Sequence, residues 1–267
     1  MRVNGMGVAV TGGAMGIGKA MAERFAAEGA RFVAVLDVER DRAQAVAVAV
    51  GGIAVECDVG SHPSVAAAIQ RVEKDAGPID LFCSNAGIVG RGGLDLDVSA
   101  ETWDQVWRVN TLAHVWAAEL LIPRMTARGG GWFLQTISAA GLITGPSPVA
   151  YTVTKHASLG FAEWLAMNYA EQGIRVACIC PTAVDTPMFT APAAGADDAN
   201  IKATIGQLMA PEDLAELVVE GLAAETFLIL NEDKVLASFR RKADDYDQWL
   251  AGQIRRQARM RRGEARQ

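Results

Sequence analysis

The sequence predicts an α/β fold, a single Rossmann-type doubly wound sheet of about seven parallel strands flanked by helices. Three observations carry that expectation. Short β-branched runs alternate with longer alanine-rich stretches of helical length. The strand runs are apolar almost throughout instead of alternating, as strands covered on both faces are. A glycine-rich turn, TGGAMGIG at residues 11–18, joins the first strand run to the first helical stretch.

The elements follow in order. GVAVT at 7–11 is the first strand, and 16–28 the first helix. A second strand is expected at 31–36 and a second helix at 40–50, opened by Arg40 and Arg42 on its solvated face. The third strand, 53–57, leads to a helix at 61–76 whose start lies among residues 58–62. Strand four is expected at 79–83, helices at 100–108 and 111–128, strand five at 132–137 and a long helix at 149–172. Strand six (175–179), a helix at 211–223 begun by Pro211 and two acidic residues, and strand seven (227–230) complete the pattern.

Two regions break the rhythm. Residues 185–208 follow the sixth strand and hold Pro187, Pro192 and Gly195 among small polar residues; a loop this long inside a compact domain serves as a lid or binding loop. The chain therefore divides into a Rossmann-type unit over 1–239 and a basic, partly helical tail over 240–267. Tyr246, Trp249, Leu250 and Ile254 share one helical face of that tail, and its end is expected to fray. The tail is expected to dock its aromatic part on its own or a neighbouring subunit, the alternative being an acidic partner or an anionic membrane surface.

Composition narrows the function. With 267 residues, 51% of them hydrophobic, the chain can bury one large core. A net charge of -6 argues against a nucleic-acid binder, whose affinity must come from phosphate neutralisation. No apolar run reaches the length of a membrane span and no secretory signal is visible, so a soluble cytoplasmic protein is expected, with no membrane partner. Cys57, Cys83, Cys178 and Cys180 lie in or beside strand-like runs with no metal-ligand spacing, and the histidines are scattered; free buried thiols and no metal are expected.

The chemistry lies in three places. Gly12, Gly16 and Gly18, between a strand and a helix, let the backbone approach a pyrophosphate at a helix N-terminus. Asp37, at the end of the second strand, is placed to accept hydrogen bonds from adenosine ribose hydroxyls and to repel a 2′-phosphate. Met15 lies in the turn where a cation would meet that phosphate, so NAD is favoured over NADP. Tyr151 and Lys155 stand four residues apart, one helical turn, with Ser138 thirteen residues upstream. A free phenol has a pKa of about 10, and a cation within about 4–6 Å pulls it toward the range useful for proton transfer to an alcohol or ketone.

These residues resemble the short-chain dehydrogenase/reductase family, in its NAD-preferring branch, over about residues 5 to 232. Thr11, Gly12, Gly16 and Gly18 match its glycine motif, Asp58 and Val59 its adenine-side pair, and Asn85, Ala86 and Gly87 its Asn-Ala-Gly turn. The resemblance implies a catalytic tetrad of Asn110, Ser138, Tyr151 and Lys155. It also implies cofactor contacts from Met15, Ile17, Tyr151, Lys155, Pro181, Val184 and Thr186. In that tetrad Ser138 holds the substrate oxygen, Lys155 also binds the nicotinamide ribose, and Asn110 at a helix bend holds a relay water. Departures are Ser84 before Asn85 and Thr182 after Pro181, where the family commonly has asparagine and glycine; the β-branched Thr182 is expected to reshape the loop around the nicotinamide.

The expected function is an NAD-dependent oxidoreductase exchanging a hydride with a hydrophobic secondary alcohol or ketone. The alternatives are an NADPH-dependent carbonyl reductase and a catalytically silent dinucleotide sensor. Leu142, Ile143, Pro146, Val149, Met188 and Phe189 point to an apolar pocket, and the family implies a homotetramer or dimer through helices 111–128 and 149–172. Trp103, Trp107, Trp116 and Trp164 are expected in packing or subunit contact.

Overall fold

The computed structural model describes residues 2–90, 96–190 and 208–262. Among these, seven strands form one parallel sheet: β1 (Gly7–Thr11), β2 (Phe32–Asp37), β3 (Ile53–Glu56), β4 (Leu81–Ser84), β5 (Gly131–Thr136), β6 (Ile174–Ile179) and β7 (Leu228–Ile229), in the order β3-β2-β1-β4-β5-β6-β7. The order reverses between β1 and β4, and a crevice opens beyond the carboxyl ends of the strands at such a switch point.

Side-chain alternation explains the two-sided burial. Val8 and Val10 of β1, with Val33 and Val35 of β2, enter one core, against helices α1 (Gly16–Ala27), α2 (Arg40–Ala49) and α7 (Pro211–Ala223). Ala9, Ala34 and Leu36 enter the other, against α3 (His62–Asp75), α5 (Ala113–Thr126) and α6 (Val149–Tyr169). That second core closes on Phe82 and Phe133, whose ring centroids lie 6.4 Å apart. The four cysteines are free and buried, and burial raises each thiol, Cys57 to about 12 and Cys180 to about 11.

Several boundaries differ from the sequence reading. Helix α4 (Ala100–Trp107), capped by Ser99 Oγ accepting from Thr102 N at 3.2 Å, does not stop before α5. A π-helical turn, Arg108–Leu112, joins the two, because Ser158 Oγ donates to Asn110 O at 2.6 Å and supplies a partner from α6. In the tail, α8 (Asp233–Asp244) runs through position 240 and α9 (Tyr246–Arg261) follows it. Trp249 is 8% exposed and donates from Nε1 to Ser238 Oγ at 3.3 Å, so this ring docks on its own chain, while Tyr246, Leu250 and Ile254 of the expected face stay exposed. Most of the expected lid, from 191 to 207, and the last five residues lie outside the described residues. Among those described, no helix is long and apolar enough to cross a membrane and no side-chain cluster is suited to a metal.

Candidate active site

The site is built where β1, β2, β4, β5 and β6 end. Thr11 closes β1, and its hydroxyl donates to Cys83 O at 3.3 Å while accepting from Asn85 N (2.9 Å) and Ala86 N (3.1 Å). Asn85 Nδ2 donates to Thr11 O (3.0 Å) and Gly12 O (3.3 Å), and its Oδ1 accepts from Thr136 Oγ1 at 3.0 Å. One amide thus ties β1, β4 and β5 together at the switch point.

The glycine turn is shaped for close approach. Gly12 has φ of 63°, left-handed, and a Cβ on Gly18 would lie 2.0 Å from Gly12 O and 2.6 Å from Asn85 Nδ2. Met15 is extended at the N-cap of α1 and offers no side-chain cap, so its side chain leaves the first N–H groups of α1 uncovered. Ile17 is partly buried against the first core. Asp37 is 8% exposed; Oδ2 accepts from Ala14 N at 3.0 Å and Oδ1 from Glu39 N at 3.0 Å. Each carboxylate oxygen has a further lone pair, so the group braces the turn and can still accept a ribose hydroxyl. These residues fit a dinucleotide.

Around this turn, Asp58 is exposed and accepts from Gly60 N at 2.8 Å, while Val59 is buried. Val184 is buried and bridges to Met209. Thr186 comes up to Gly16, where an added Cβ would lie 3.0 Å from its Cγ2. Pro181 O accepts from Ala139 N at 2.9 Å, which joins the loop after β6 to the one after β5. Thr182, where a glycine was expected from the resemblance, donates from N to Asn231 Oδ1 (3.0 Å) and from Oγ1 to Glu232 Oε1 (2.7 Å).

The proton-transfer candidates converge at the end of β5. Ser138 is extended (φ 168°), its Oγ accepts from Ala140 N at 3.1 Å, and it is hydrogen-bonded with Tyr151. Lys155, 2% exposed, donates from Nζ to Thr136 O at 2.9 Å and lies 5.6 Å from the Tyr151 ring centroid. Asn110 is fully buried in the π-turn; its Oδ1 accepts from Ile88 N (2.8 Å), and its Nδ2 donates to Ile88 O (2.8 Å) and Thr154 Oγ1 (3.2 Å). Gly87 touches both groups, since an added Cβ would lie 3.4 Å from Asn110 Oδ1 and 3.5 Å from Lys155 Nζ.

One expectation is corrected here. The phenol as a whole is not depressed in this state: Tyr151 is held above its ordinary 10.0 because burial outweighs the hydrogen bond with Ser138. The lysine is itself held down, from 10.5 to about 8, by burial, with Nζ given to a carbonyl. His114, one helical turn beyond Asn110, is lowered to about 3 by burial first and Lys155 second, so it stays neutral. His156 bonds Thr152 O on its own helix and takes no part. Sequence reasoning missed Thr136, Thr154, Ser158, Asn231 and Glu232, polar residues with no motif spacing that act only through contacts between distant segments.

The chain is similar to known proteins over most of its length. Residues 7–196 match the family described as short chain dehydrogenase. The chain is 35% identical over 246 residues to 1-deoxy-11-beta-hydroxypentalenate dehydrogenase of Streptomyces exfoliatus, covering 88% of this chain and 86% of that protein. A short chain dehydrogenase/reductase of Burkholderia phymatum, solved in complex with NAD, superposes with a TM-score of 0.82 at 27% identity, covering 92% of this chain and 96% of that one. An NADPH-dependent 3-quinuclidinone reductase of Rhodotorula rubra superposes with a TM-score of 0.73 at 31% identity, covering 85% and 90%.

Proposed function

The chain belongs to the short chain dehydrogenase family of oxidoreductases, which take a nicotinamide dinucleotide, and from that premise we propose an NAD-dependent dehydrogenase of hydrophobic secondary alcohols and their ketones. The observation that carries the proposal is the meeting of Ser138, Tyr151, Lys155 and Asn110 beside the Gly12–Gly18 turn at the sheet's switch point. The choice of NAD rests on Asp37, whose carboxylate braces the turn from the side where a 2′-phosphate would bring like charge. One solved neighbour holds NAD and another is NADPH-dependent, so cofactor preference is the decisive readout.

The bound dinucleotide would supply the hydride acceptor or donor; Gly12, Met15, Gly16, Ile17, Gly18 and Asp37 would hold its adenosine-side ribose and pyrophosphate, Asp58 and Val59 its adenine, and Asn85, Ala86, Gly87, Lys155, Pro181, Val184 and Thr186 its nicotinamide side. Ser138 hydrogen-bonds the substrate oxygen and orients it toward the phenol. Tyr151 moves the proton: burial keeps it loaded, the form that donates to a ketone, and in alcohol oxidation it must accept. Lys155, buried beside the ring, favours the phenolate once Tyr151 has given up its proton. Asn110, in the π-turn beside Gly87, orders the path by which that proton is replaced. Ile143, partly buried, supplies apolar surface near Ser138, whereas Leu142, expected in the pocket, is 3% exposed and packs in the second core.

Val153, Trp164 and Met167 of α6 are 42%, 50% and 74% exposed, an apolar stripe that supports association of copies through this helix as a homotetramer or dimer. The test of function is absorbance at the reduced-nicotinamide band with NAD or NADP across a panel of hydrophobic secondary alcohols. We expect NAD to be preferred and Tyr151→Phe to lower kcat by about 10²–10⁴. Turnover retained by the variant, or a preference for NADP, would refute the assignment.

A further inference from the structure

Two contacts tie the site to the chain's last described helices. Thr182, in the loop after β6, is held by Asn231 and Glu232, immediately before α8. On the other side, Lys242 Nζ donates to Leu142 O at 3.0 Å across one hundred residues of sequence. Leu142 closes the 3₁₀ turn that Ser138 caps: Gly141 N donates to Ser138 O (2.9 Å), and Leu142 N and Ile143 N to Ala139 O (3.0 and 2.9 Å).

The ammonium of Lys242 is itself fixed. Nζ stands 5.2 Å from the ring centroid of Trp249 and 5.7 Å from that of Tyr246, and the two rings meet edge to face at 5.8 Å. Trp249 is anchored by its bond to Ser238, so the cage spans both helices. Beyond it, α9 faces the segment between Ser138 and Tyr151 across an open cavity of about 180 Å³, lined by residues 144–146 and by Gln253, Ile254, Arg256 and Gln257.

We propose that the α8–α9 pair is the outer wall of the substrate site and that Lys242 is a positioning residue, holding the Leu142 carbonyl of the turn capped by Ser138 so that the adjacent Ile143 is fixed against the substrate. The cavity under α9 receives the part of the alcohol farthest from the carbinol carbon, an apolar body bearing hydrogen-bond acceptors that Gln253 and Gln257 can serve. The contacts of Lys242 are to Leu142 O and the Tyr246 and Trp249 rings, none of them a group assigned to the reacting oxygen or the dinucleotide, so its effect falls on how the alcohol is held.

This rests on the alcohol-dehydrogenase reading, and the experiment keeps the two apart. Lys242→Met and Lys242→Arg would be compared with the wild type by hydrogen exchange over residues 139–145 and by kinetics with a bulky and a small secondary alcohol. Lys242→Met should speed exchange over 139–145 about threefold or more while 7–11 exchange as before. It should also lower kcat/KM for the bulky alcohol about fivefold, mainly through KM, with NAD affinity unchanged, and Lys242→Arg should restore most of the loss. Unchanged exchange over 139–145, or an equal loss on both alcohols, would overturn the proposal. If the wild type oxidised no alcohol, the proposed function would fall while the exchange comparison still decided whether Lys242 holds the turn.

Discussion

At the residue scale, the site's central conflict is a lysine buried for function. Lys155 is lowered from 10.5 to about 8, so the unfolded chain binds more protons than the native one between those values. Below pH 8 the cost of burying the ammonium is fully present, and it fades as pH rises toward 10.5. Lys155→Met should therefore abolish turnover yet melt above the wild type at pH 7. The gap should narrow from pH 8 upward; calorimetry at stepped pH measures it, and a variant less stable at pH 7 would contradict the burial argument. Tyr151 and Lys155 were legible in the sequence because helical spacing alone brings them to one face. The direction of the phenol's shift was not, because burial depends on packing that spacing does not encode. Thr182 shows the same limit: its β-branch was visible, its partners 49 and 50 residues away were not.

At the element scale, the π-turn at Arg108–Leu112 is the instructive case. Spacing predicted two separate helices, and the resemblance implied Asn110 at a bend; the bend is a wider turn inside one continuous helical run. What holds it lies on α6, where Ser158 Oγ shares its one proton between Asn110 O (2.6 Å) and Thr154 O (2.8 Å) and Thr111 Oγ1 donates to Thr154 O (3.1 Å). Ser158→Ala leaves a buried carbonyl unmet. We expect a loss of about 1–3 kcal/mol in urea unfolding with an unchanged m-value. A midpoint within error of the wild type would show that the π-turn needs no support from α6. Strand edges shifted by a residue or two from their expected places because apolar runs mark a strand's middle better than its ends.

At the scale of the molecule, the parallel sheet was legible because both faces of each strand are covered and the runs carry no polar alternation. The two-helix end was only half legible: a helical face could be read in the tail, but its contact with the turn beyond Ser138 joins residues one hundred positions apart. The four thiols in this double core have a use outside catalysis. Spread over β4, β6 and the ends of β3 and β6, buried and held in the unreactive protonated form, they make the chain its own reporter of opening. A chromogenic disulfide should label none of them in the native protein over minutes and all four in urea. The labelling rate at intermediate urea then times how often the interior meets solvent, without a probe having been introduced.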